Sequence, residues 1–110
     1  MYIYIANNHG KWEEAFPTHP EAIKYIMGQK DMVFYEVDTY KIEGKIRQIS
    51  KETHQLIREW DSIFEAAEEC KVKALDIMKC LRGLVEHSGG FEWSLCTAEC
   101  HIFKIRYKFK

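Results

Sequence analysis

From Lys45 to Arg82 the chain contains no Gly, Pro or Asn, and no other stretch constrains the possible folds so tightly. Within and just beyond it, Leu56, Trp60, Ile63, Ala67, Cys70, Ala74, Ile77, Leu81 and Leu84 alternate by four and three residues. That spacing keeps one apolar stripe on one side of a helix. Ser50 is placed to cap the start of such a helix, and Ser88-Gly89-Gly90 to stop it. Run continuously over residues 51–87, it would be ~55 Å long at 1.5 Å per residue. A compact domain of 110 residues is only on the order of 35 Å across. Either the helix breaks into a hairpin near Glu68-Glu69-Cys70-Lys71, or its overhang packs against another chain. The possible break holds no turn-forming residue, which favours one long helix and a homodimer. Leu56, Trp60, Ile63, Ala67, Cys70, Ala74 and Ile77 would form the seam, with the small residues in its middle allowing close approach.

The remaining elements read as strands and one short helix. Tyr2 to Ala6 is β-prone and ends at the turn formers Asn7-Asn8-His9-Gly10. Thr18 is placed to cap a short helix with Pro20 and Glu21 in its first turn. Ala22, Ile23, Ile26 and Met27 share one face of that helix, and Gly28 stands at its end. Met32 to Ile42 is rich in β-branched and aromatic residues. Near the C-terminus, Phe91, Trp93 and Leu95 alternate with polar residues, as do Phe103, Ile105, Tyr107 and Phe109. Thr97-Ala98-Glu99 lies between those two runs and suits a tight hairpin.

The order is therefore β-α-β-α-β-β. It predicts a single α+β domain over residues 1–110, with a four-stranded, mainly antiparallel sheet and one short and one long helix. With 46% hydrophobic residues, a core is feasible for a chain of this size. Lys and Arg total 16 against 17 Asp and Glu, a net charge of −1, so no overall attraction to nucleic acid or anionic membrane is expected. Charge is nonetheless uneven: residues 1–43 hold 4 basic and 7 acidic side chains, whereas residues 90–110 hold 4 and 2. No apolar run is long enough for a membrane span. Four cysteines without a secretory signal point to free thiols in a reducing cytoplasm.

No motif carries an obvious chemistry. Cys96 and Cys100, with Cys70, Cys80 and His101, raise the question of zinc, but no second close pair completes a tetrahedral set. His87-Ser88-Gly89-Gly90 puts a base and a hydroxyl beside flexible backbone, and a small hydrolase centred on His87 is the second alternative. The same histidine serves equally as a cation at a helix C-terminus. Lys104, Arg106 and Lys108 share one strand face and could follow a nucleic-acid backbone, which makes a nucleic-acid or nucleotide binder the first alternative. Asp61, Glu65 and Glu68 share one helix face by spacing, an acidic patch suited to a basic partner surface. Trp12, in Gly10-Lys11-Trp12-Glu13, is the candidate aromatic anchor for a partner.

One resemblance bears on function. Tyr2-Ile3-Tyr4-Ile5, then Phe16-Pro17-Thr18 leading into Glu21-Ala22-Ile23-Lys24-Tyr25-Ile26, then Phe34-Tyr35-Glu36-Val37-Asp38, resembles the opening of small accessory proteins encoded by bacteriophages. The resemblance covers residues 1–43. It implies a non-catalytic protein that binds and blocks a host protein, including components of anti-phage defence, with no catalytic residue carried over; the residue spacings above call for no metal or cofactor.

Overall fold

The computed structural model describes residues 1–95 and 101–105. The chain is α+β, but its order differs from the expected one. The elements are β1 (Tyr2–Asn8), β2 (Lys11–Phe16), α1 (His19–Met27), β3 (Tyr35–Glu43), β4 (Ile46–Ser50), β5 (Leu56–Trp60), α2 (Ile63–Cys70), α3 (Ala74–Leu81), β6 (Phe91–Leu95) and β7 (His101–Ile105). A 3-10 turn, Met32–Phe34, precedes β3. The single four-stranded sheet gives way to two separate sheets, one ordered β2-β1-β3-β7 and the other β5-β4-β6. They belong to two compact units: residues 1–42 with 102–110, and residues 43–101. The second unit is thus inserted within the first. The expected pairing of the last two strands fails with it, because β6 and β7 lie in different sheets. The hairpin expected at residues 97–99 lies outside the described residues.

In the first unit β1 runs antiparallel to both β2 and β3. His9 and Gly10 connect β1 to β2 with φ of 55° and 86°, the two positive values that a tight two-residue hairpin turn needs. Opposite residues in register share a face, so Ile3, Ile5, Asn7, Asp38 and Tyr40 lie on one side, and Tyr4, Ala6, Phe16 and Thr39 on the other. Helix α1 packs against β1 and β2, with His19 against Tyr4 and Tyr25 against Phe16. Its start follows the sequence: the Thr18 hydroxyl accepts from the Glu21 backbone N–H, with Pro in the first turn and Gly28 at the end.

In the second unit the anticipated long helix is absent. Leu56 and Trp60 stand in a strand, Ile63, Ala67 and Cys70 in α2, and Ala74 and Ile77 in α3. Two local events divide the stripe. Ser50 caps a turn: its hydroxyl accepts from Thr53 N–H, its carbonyl from His54 N–H, and His54 adopts φ 58°. That turn closes the β4–β5 hairpin. The second event is at Lys71, whose left-handed φ of 56° ends α2, with Val72 N–H bonded back to the Ala67 carbonyl. This is the break that the absence of turn residues argued against. The reason it forms is geometric. The five-residue strands of this sheet are roughly 17 Å long, too short to cover the stripe of a single ~55 Å helix. Folded back as two short helices, the segment buries Ile63, Ala74 and Ile77 of the stripe together with Ala66, Leu75 and Met78 from outside it.

Candidate functional site

The most unusual surface of the first unit lies between the end of α1 and the start of β3. Met27 is 69% exposed, Met32 51%, Val33 81% and Phe34 52%. Single exposed apolar residues are ordinary, but several together mark contact surfaces. These side chains stand on a tied backbone. Phe34 N–H donates to the Asp31 carbonyl at 3.0 Å, and His9 N–H donates to the Phe34 carbonyl at 3.3 Å. The rings of His9 and Phe34 meet edge to face, with centroids 4.5 Å apart. Exposed Lys30, Asp31 and Glu36 flank the apolar turn in sequence.

Next to this turn sits a carboxylate hub. The β1–β2 register shifts between Ala6 and Asn7, pairing Ala6 with Glu14 but Asn7 with Trp12. Glu13 is thus the extra residue of a β-bulge, a device that re-aims a side chain. Its carboxylate accepts from Tyr35 OH at 2.5 Å, Tyr25 OH at 3.1 Å and Asn8 Nδ2 at 3.2 Å. One carboxylate thereby links β1, β2, α1 and the first residue of β3. The Tyr35 bond, followed by that from Asn8, holds the Glu13 carboxyl below its ordinary value. Reciprocally, the bond to Glu13 pushes the Tyr35 hydroxyl up to about 12. Burial, then the Glu13 bond, raises Tyr25 as well.

On the opposite side of the sheet, Asp38 Oδ2 accepts from Asn7 Nδ2 at 2.7 Å and from Trp12 Nε1 at 3.1 Å. Trp12 is half-buried, edge-on to Tyr40. The residue singled out as an anchor therefore has its indole N–H committed inside the first unit.

The other candidate residues are dispersed. Asp61, Glu65 and Glu68 are all exposed; Asp61 precedes α2 and lies 3.9 Å from Lys45, while Glu65 and Glu68 lie on α2. The seam residues occupy β5, α2 and α3, so no one helix face unites them. His87 is exposed in the segment after α3. Lys104 stands in β7, whereas Arg106, Lys108, Cys96 and Cys100 lie outside the described residues. Burial, with Asp76 adding to it, pushes the Cys80 thiol up to about 11, and burial raises Cys70 also, the opposite of an activated nucleophile. Among the described residues, no group of three or more His, Cys, Asp or Glu is placed to hold a metal ion, and no helix is long and apolar enough to cross a membrane.

Sequence reasoning missed this surface because Met32, Val33 and Phe34 read as the start of a strand, whose apolar residues belong in a core. A signal was present: Gln29-Lys30-Asp31 before them is polar and follows the Gly28 stop, which favours a turn in which side chains point outward.

No protein-family model, curated protein or solved structure matches this chain.

Proposed function

We propose that the chain is a non-catalytic protein-binding module whose contact surface is the apolar turn Met32-Val33-Phe34, together with Met27. One observation carries the reading: consecutive large apolar side chains remain in water on a backbone that is held in place. Burying Val33 would be worth up to about 1.5–3 kcal/mol, and Phe34, half of it already covered, about half as much, a gain the isolated chain forgoes and a partner's apolar groove would recover. The Glu13 hub and the His9–Phe34 contact support the role by presenting the turn in one shape, which lowers the ordering cost of association. On this reading Val33 and Phe34 are the anchors, ahead of half-buried Trp12, whose indole N–H is bonded to Asp38. The resemblance of residues 1–43 to phage accessory proteins adds the further proposal that binding blocks a host protein by occlusion.

The test compares affinity captures by wild-type protein, Val33→Asp and Leu84→Asp. Leu84 is also exposed (63%) but lies in the second unit, so its variant controls for general stickiness. A protein retained by wild type and by Leu84→Asp, yet lost by a Val33→Asp variant of unchanged melting temperature, is the expected result. Equal retention by all three would exclude the turn as the contact.

A further inference from the structure

The exposed surface is built partly from thioethers. Met27 ends α1 and Met32 immediately precedes Val33 and Phe34, and the two are 69% and 51% exposed, whereas Met78 is fully buried in α3. Thioether oxidation follows exposure, and it turns a flexible apolar side chain into a polar one. We propose that Met27 and Met32 form an oxidation-sensitive pair: peroxide converts them to sulfoxides and so switches off the apolar contact surface. The use of the switch rests on the protein-binding reading, but the chemistry does not.

The step is balanced. The methionine sulfur lone pair attacks the distal oxygen of a hydroperoxide, the O–O bond breaks, and an S–O bond forms. Sulfur is oxidised by two electrons, the peroxide is reduced, and with hydrogen peroxide the leaving oxygen departs as water. A thiol-dependent methionine sulfoxide reductase reverses the change. The sulfoxide oxygen is a strong acceptor that prefers water, so its transfer into a partner's apolar groove becomes unfavourable. Both methionines lie within seven residues of Phe34. Neither Val33 nor Phe34 can be modified in this way, so the methionines alone make the surface reversible.

The experiment treats the folded protein with dilute hydrogen peroxide and follows two readouts. Peptide mass spectrometry is expected to show Met27 and Met32 oxidising about tenfold faster than Met78. Retention of the folded protein on a phenyl column is expected to fall in step with their conversion, and to recover with the reductase. The Met27→Leu/Met32→Leu variant keeps the side-chain volume and apolarity and retains every cysteine, so it should hold its retention under the same treatment. Comparable oxidation of Met78 would overturn the assignment of the pair. An equal fall in the double variant, or full conversion with unchanged retention, would overturn the switch. Neither readout requires a partner, so failure here is distinct from failure of the capture experiment.

Discussion

Asn7 and Asn8 are consecutive in β1, and their side-chain amides donate to carboxylates on opposite sides of the sheet. Asn7 reaches Asp38 at 2.7 Å, and Asn8 reaches Glu13 at 3.2 Å. The alternation of a strand sends neighbouring side chains to opposite faces, and the bulge at Glu13 brings the second carboxylate within reach. Asn7 also accepts from Gly10 N–H at 2.7 Å, tying the hairpin turn to the same residue.

The Glu13 hub gives stability a defined pH window. The folded Glu13 carboxyl lies below its ordinary value of 4.5, so its contribution is complete above that value and is lost as pH falls through the lower folded one. Tyr35 is raised from 10.0 to about 12; its contribution is complete below pH 10 and is lost as pH rises through the folded value. Urea midpoints measured across pH should form a plateau bounded on both sides. In Glu13→Gln both limbs should flatten, because one substitution removes the carboxylate and the largest cause of the Tyr35 shift. Limbs as steep as in wild type would place the transitions on other groups.

Gly89, in the second unit, is tightly constrained. A Cβ there would come 2.1 Å from Val72 Cγ1, and its φ is +64°. Gly89→Ala should therefore cost about 2–3 kcal/mol, combining overpacking against a stiff β-branched side chain with left-handed strain. Gly90→Ala, at φ +86° with nothing within 4 Å of the new Cβ, should cost only about 1–2 kcal/mol. Adding Val72→Ala to Gly89→Ala should recover part of the loss, leaving the backbone strain. Equal costs for the two single alanine variants in urea unfolding would refute the steric contribution.

Lys71 is a non-glycine residue in the left-handed conformation that ends α2. Lys71→Gly removes the Cβ penalty there and should stabilise the protein by about 0.5–1 kcal/mol. A loss of stability of similar size would mean that the lysine side chain contributes more than its backbone strain costs.

The inserted unit has its own buried residues, including Ile46, Trp60, Ile63, Ile77, Met78 and Trp93. Residues 43–101 alone should therefore melt cooperatively, with Trp60 and Trp93 fluorescence reporting a single transition. The local bonds support this: Trp60 Nε1 donates to Gln48 at 3.0 Å and Trp93 Nε1 to the Ser88 carbonyl at 3.1 Å. A broad, uncooperative melt would show that the insertion depends on its host.

How far the sequence foretells the structure depends on whether a local signal is matched by the tertiary outcome. For α1 the two agree, since Thr18, Pro20 and Gly28 act through their immediate neighbours. Strand β2 was hidden because the bulge at Glu13 breaks the alternation that would reveal it. The heptad stripe matches burial only in part: Trp60, Ile63, Ala74 and Ile77 are buried but Leu56 and Leu84 are exposed, and Leu56 and Trp60 stand in a strand. Ser50 shows why: a hydroxyl that accepts from an N–H three residues on serves a helix start and a hairpin turn equally well. Among candidate site residues, Trp12 was visible as a lone aromatic in a polar segment. That its indole N–H meets Asp38 depends on a cross-strand register no single segment encodes.

The insertion also has a consequence for the order of events during synthesis. β3 ends at Glu43, and β7, its neighbour in the first sheet, begins at His101. On the ribosome, the whole inserted unit emerges before the strand that completes the first sheet exists. Until then, β3 lacks its last neighbour and presents an unsatisfied edge. The nascent chain thus builds its middle while its beginning waits for its end.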